Sequence, residues 1–169
     1  MAAGKIHFLV LMGVSGSGKT TVGKLLAKKL GWAFFDGNNY HPPEYVSRMR
    51  GGAPLKDSDR APWLETLHDL IAACLEAGQP GILAASVLME RFRERLLTGN
   101  HGVQVVFLKG DHDLILSRMS SRKGNSLKPD MLQEQFDILE EPQDAWVVDI
   151  SSPVEEITEE IIDRLRQAG

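Results

Sequence analysis

Gly13, Gly18, Lys19 and Thr20 stand in the stretch GVSGSGKT at the spacing G-x-x-x-x-G-K-[ST], an arrangement suited to holding phosphate. The small residues Gly13, Ser15, Gly16, Ser17 and Gly18 let successive backbone N–H groups turn toward one anion. The helical stretch TVGKLLAKKL that follows adds the positive end of its dipole. Lys19 would neutralise the β- and γ-phosphates of a nucleotide, and the Thr20 hydroxyl would ligate Mg²⁺. A phosphoryl group held in this way calls for a second molecule to receive it.

Other residues could serve such a transfer. Asp36 ends the apolar segment WAFFD, where a strand beside the first would bring a carboxylate toward the metal. The same position also suits a simple cap. Arg118 and Arg122, in SRMSSRKG, fall four apart at the end of a helix that enters a polar loop. That spacing puts both guanidinium groups on one face, ready to lie against the transferring phosphate or merely to answer the helix dipole. His41 precedes two prolines, which argues against a packed core histidine and leaves acceptor contact or turn capping. Arg48, in SRMRGG, could hold an anionic acceptor or sit in solvent. No His, Cys and Asp grouping has the spacing of a zinc site.

These residues must be positioned by regular elements. Strand-length apolar runs recur at 6–12, 33–35, 81–86, 103–108 and 145–150. Between them, APWLETLHDLIAACLEAG places Trp63, Leu67, Leu70, Ile71, Cys74 and Leu75 at helical spacing, with Gly78 as a stop. DHDLILSRMSSR and PVEEITEEIIDRLRQ carry acids first and arginines last, as helices do. Nearly continuous apolar strands alternating with helices indicate a mostly parallel sheet covered on both faces. Residues 37–60 and 122–130 fit the alternation poorly, and polar interruptions of this kind carry substrate loops and lids.

A chain of 169 residues suits one core rather than two. Its net charge of −4 argues against a nucleic-acid or anionic-membrane surface, and a small-molecule partner is expected. The single cysteine, Cys74, forms no internal disulfide and sits in a helical pattern, which fits a reducing cytoplasm. The apolar run before Gly13 is about seven residues, far short of the ~20 of a spanning helix, and reads as a first strand.

Taken with FFDG, YHPPE, PLKDSDRAPWL, RKG, QFDILEEP and VVDISSP, the chain resembles the small gluconate kinases, relatives of the shikimate and nucleoside monophosphate kinases. The resemblance covers nearly the whole chain. It implies a single α/β domain over 1–169, a three-layer P-loop kinase fold with a five-stranded parallel sheet, a substrate-binding segment at about 37–60 and a lid at about 118–130. It implies ATP and Mg²⁺ as cofactors, D-gluconate as acceptor with 6-phosphogluconate as product, and the homodimer usual in that family. The phosphate loop resembles the family's ATP site, Asp36 its strand-end acid, and His41 its "HP". Arg60 and Trp63 in DRAPW match the segment after its substrate region, Gln135 matches its "QF", and VDISSP resembles the loop that passes the adenine. An acceptor site of Asn38, His41, Arg48, Arg60, Ser86, Arg93 and Gln135 follows, with Lys19, Asp36, Arg118 and Arg122 around the transferring group.

The departures cluster at the acceptor. Asn38 replaces the second acid of D-x-D, and an amide cannot take a hydroxyl proton at neutral pH. Tyr45 stands at an amide position, Met89 at a lysine and Asn125 at a histidine. Two other readings therefore stay open beside gluconate phosphorylation: a different polyol or sugar-derived acceptor, and a nucleotide-binding protein with weak or lost transfer.

Overall fold

Among the residues described by the computed structural model, 5–50, 56–121 and 129–169, five strands pair side by side and all in parallel. They are β1 (Phe8–Met12), β2 (Ala33–Asp36), β3 (Gly81–Ala84), β4 (Val103–Lys109) and β5 (Trp146–Asp149), in the order β2-β3-β1-β4-β5. Phe8 of β1 is in register with Gly81 on one side and Val103 on the other. The described helices are α1 (Lys19–Leu30), α2 (Pro43–Arg50), α3 (Asp57–Glu76), α4 (Glu90–Leu97), α5 (His112–Ser121), α6 (Pro129–Ile138) and α7 (Val154–Ala168).

Alternation along β1 explains the layers, because successive strand side chains point to opposite faces. Leu9 and Leu11 join Val22 and Leu26 of α1 and Ile157 and Ile161 of α7 in one apolar cluster. Phe8, Val10 and Met12 join Leu64, Leu67 and Ile71 of α3 and Phe92 and Leu96 of α4 in the other. Both sheet faces are thus covered, which is why the strands read as nearly continuous apolar runs. Burying a single such leucine contributes about 2 kcal/mol, and this double-faced core fixes where the strand ends lie. Among the described residues no helix is long and apolar enough to cross a membrane.

The sequence pattern is corrected in three places. The helix expected from Ala61 begins a turn earlier, at Asp57. Its first turn is closed by the Lys56 backbone N–H donating to the Asp59 carboxylate at 2.9 Å, so Pro62 lies inside the helix rather than opening it. The segment from 37 is more regular than its composition suggests, with a 3₁₀ turn over Gly37–Tyr40 followed by α2. Two helices, α4 and α6, lie where no periodic signal was read. Arg122 and Asn125 lie outside the described residues.

Candidate active site

The phosphate loop leaves the carboxyl end of β1 and enters α1, at the sheet end where ligands of open α/β folds bind. Gly16 and Gly18 adopt φ of 84° and 97°, left-handed values that favour glycine. A Cβ on Gly16 would also come within 2.8 Å of Met119 Cγ, because α5 packs directly on the loop. Gly18 caps α1 without a side-chain acceptor, and the first turn contains no acid. The opening N–H groups of α1 are therefore left for an anion.

Lys19 turns its ammonium back on the loop, donating to the carbonyls of Gly13 at 2.9 Å and Val14 at 3.0 Å. Burial pushes its pKa down to about 8, with Asp36 pulling the other way, so it keeps its charge at neutral pH. Lys19, Thr20, Asp36, Asn38 and Ser86 line one cavity of about 210 Å³ with the loop residues Ser15, Gly16 and Gly18. Ser17 is buried, and its hydroxyl has no hydrogen-bond partner among the described residues.

Asp36 reaches that cavity because its strand is in register with β3, opposite Ala84. Its Oδ1 accepts from the Asn38 backbone N–H at 3.0 Å, so it also caps the turn that follows. The capping reading of Asp36 is thus observed, and the same side chain lines the cavity of the phosphate loop. The donor set suits Mg²⁺, which takes one or two protein oxygens beside phosphates and water. Thr20 offers a hydroxyl and Asp36 a carboxylate in one cavity, and no cluster of three or more metal-binding side chains is found among the described residues.

A second, smaller cavity of about 100 Å³ adjoins the first and shares Ser15, Asn38 and Ser86 with it. His41, Arg60, Trp63, Leu88, Phe92, Gln135 and Ile138 complete its wall. Against the expectation from its flanking prolines, His41 is packed: only 9% exposed, it stacks on Trp63 with centroids 4.3 Å apart. The Trp63 indole N–H donates to the Gly37 carbonyl at 2.7 Å, fixing that wall. His41 Nδ1 has no partner among the described residues. Burial, helped by the Arg60 charge, lowers the His41 pKa to about 4, so the ring is neutral at physiological pH. Arg60 places its guanidinium 5.4 Å from the centroid of the Phe92 ring.

Several expected site residues are placed elsewhere. Arg93 is buried at 6% exposure and donates to the carbonyls of Val87 at 2.8 Å and Glu140 at 2.7 Å. It borders a different cavity, of about 570 Å³, with Glu90, Glu94 and Glu141, so its assignment to the acceptor pocket is corrected. Arg48 lies 3.5 Å from Asp59 and over the Tyr45 ring, outside the walls of both site cavities. Met89 packs against the α3–α4 core cluster, so the missing lysine leaves an apolar contact there. Arg118 lies toward the β5–α7 loop: hydrogen bonds from Ser151 hold Asp149 below the usual carboxylate range, and Arg118 adds to that lowering.

Sequence reasoning placed Trp63 on the apolar stripe of a helix and after the substrate region, and it missed Phe92, Leu88 and Ile138 as cavity walls. Gln135, expected at the acceptor, also grips the phosphate loop: Ser15 N–H donates to its Oε1 at 2.7 Å, and its Nε2 donates to Ser15 Oγ at 3.0 Å. No spacing could announce a pairing across 120 residues.

The family described as shikimate kinase matches residues 15–166. A probable gluconokinase of Mus musculus is 40% identical over 178 residues, spanning 94% of this chain and 97% of that protein. The thermoresistant gluconokinase of Escherichia coli (strain K12) is 40% identical over 165 residues, 95% of this chain and 94% of the relative. The crystal structure of a gluconokinase from Sinorhizobium meliloti 1021 superposes with a TM-score of 0.87 at 34% identity, covering 97% of this chain and 94% of that one.

Proposed function

The chain belongs to the shikimate-kinase family of P-loop kinases and, within it, to the gluconokinases, and on that premise we infer that it transfers the γ-phosphoryl group of ATP to D-gluconate, giving 6-phosphogluconate. The observation that carries the reading is the pair of adjoining cavities. A phosphate-binding loop lines one, an arginine and a neutral histidine line the other, and Ser15, Asn38 and Ser86 belong to both. A donor in the first and an acceptor in the second would meet at those three residues.

In this reading the α1 N-terminus and Lys19 hold the ATP phosphates, and Lys19 exchanges the Gly13 and Val14 carbonyls for phosphate oxygens. Thr20 and Asp36 would hold Mg²⁺, which supplies neutralising charge to the β- and γ-phosphates. Arg118 serves the nucleotide from α5, and Arg122, four residues on, is proposed to follow the transferring phosphate. Arg60 is the cation lining the acceptor cavity among the described residues, and it takes the sugar-acid carboxylate. His41, neutral and with an open Nδ1, hydrogen-bonds an acceptor hydroxyl.

Asn38 orients the attacking hydroxyl without removing its proton. Phosphoryl transfer draws mostly on positioning and charge, so this amide is compatible with turnover. Among the described residues lining the two cavities Asp36 is the one carboxylate; it lines the first, where its charge acts on Lys19. The test is product formation: 6-phosphogluconate appearing from Mg·ATP and D-gluconate supports the reading, and its absence with ATP bound contradicts it.

A further inference from the structure

The Gln135 and Ser15 pairing is reciprocal and its atom assignment is fixed by chemistry. A backbone N–H only donates, so the Gln135 atom 2.7 Å from Ser15 N is its oxygen, and the amide nitrogen must then face Ser15 Oγ at 3.0 Å. A glutamine amide carries two N–H groups and two oxygen lone pairs. Ser15 takes one of each. Among the described residues, one N–H and one lone pair are left on a half-buried side chain that lines the acceptor cavity beside Asn38, His41 and Arg60. Buried polar capacity of this kind is normally used.

We propose that Gln135 is a positioning residue that holds Ser15 of the phosphate loop with one part of its amide and a hydroxyl of the acceptor with the rest, setting the register between the two substrates. The proposal rests on the sugar-acid kinase reading. Gln135 comes from α6, a different element from either the loop or the β2–α3 segment that carries Asn38, His41 and Arg60. It therefore ties three parts of the site together through one planar group. Loss of the amide leaves the nucleotide bound by its own residues but holds the acceptor more weakly and out of line with it, and small misplacements at a reacting centre are costly in rate.

The experiment compares wild type, Gln135→Met, Ser15→Ala and the double variant, reading kcat, KM for the sugar acid, Kd for a non-hydrolysable Mg·ATP analogue, and Tm. For Gln135→Met, kcat falls ~10-fold or more and KM for the acceptor rises by a similar factor, the scale of one or two lost hydrogen bonds. The nucleotide-analogue Kd stays within about threefold and Tm is close to wild type. Ser15→Ala, which keeps its N–H, lowers kcat less and leaves the acceptor KM alone, and adding it to Gln135→Met costs little more. Gln135→Asn, one methylene short, loses the same two parameters and serves if the methionine variant folds poorly. Wild-type kinetics in both Gln135 variants overturn the proposal. So does a loss of nucleotide affinity that matches the fall in kcat with the acceptor KM unchanged, since Gln135 is then only a loop brace. The comparison is made on whichever sugar acid the wild type phosphorylates; a wild type silent on gluconate counts against the function reading, whereas indifferent Gln135 variants of an active wild type count against this one.

Discussion

The imidazole of His41 lies flat on the indole of Trp63, with ring centroids 4.3 Å apart and planes 12° from parallel. The indole is held in turn by its hydrogen bond to the Gly37 carbonyl. Sequence position puts His41 in a Pro-flanked turn, but stacking and burial make it a wall of the acceptor cavity.

Stability should register that burial. The His41 pKa is lowered to about 4 in the folded protein by burial and by Arg60, against 6.5 when unfolded. Between those values the unfolded chain binds more protons, so stability is complete above about pH 6.5 and is lost as pH falls toward 4. Melting curves at pH 7.5 and 5.0 should show a larger drop in Tm for wild type than for His41→Gln. Parallel drops would contradict a buried neutral ring.

Lys19 carries the largest expected effect on rate. Lys19→Met removes a charge that meets the phosphates in the transition state, and kcat/KM should fall on the order of 10²–10³. Its ammonium is desolvated in the folded protein and bonds only to loop carbonyls among the contacts described, so Tm should hold or rise. Steady-state kinetics with a melting curve on the same sample checks both halves.

The two roles of Asp36 separate by substitution. Asp36→Asn keeps an oxygen for the Asn38 N–H, so Tm should stay near wild type while the Mg²⁺ concentration giving half-maximal rate rises. Asp36→Ala removes the cap as well and should cost about 1 kcal/mol in stability. A magnesium titration of activity, paired with urea unfolding, distinguishes them.

Arg60 and Arg93 should divide cleanly between binding and folding. Arg60→Gln should raise KM for a sugar acid ~10-fold or more, with less effect on an uncharged polyol. Arg93→Met strips the buried Val87 carbonyl and the part-buried Glu140 carbonyl of a charged donor and should cost about 3 kcal/mol of stability, leaving acceptor KM unchanged in the protein that folds. Kinetics and urea melts on the two variants test the division.

Much of the fold was legible because its signals are local. The inner strands β1 and β3 are apolar and buried throughout and the others are mostly apolar, as a sheet covered on both faces requires, and Gly13 to Thr20 carry their own spacing rule. α4 was legible in principle, since Phe92 and Leu96 fall four apart and are both buried, but the charges of ERFRERLL mask the stripe. α2 is mostly exposed and has little stripe to read. The acceptor site was the hardest part. Arg60 and Arg93 are alike in sequence, and only the carbonyls of Val87 and Glu140 decide that one guanidinium is structural. Ser15 and Gln135 meet through the tertiary fold alone.

ADP release from Mg·ATP, followed with and without D-gluconate and with the product identified, tests the central claim most directly. Gluconate-dependent release yielding 6-phosphogluconate, abolished in Lys19→Met, is the predicted result. ATP binding with no release on gluconate, or release confined to another acceptor, would contradict it and make Asn38 the first residue to restore to aspartate.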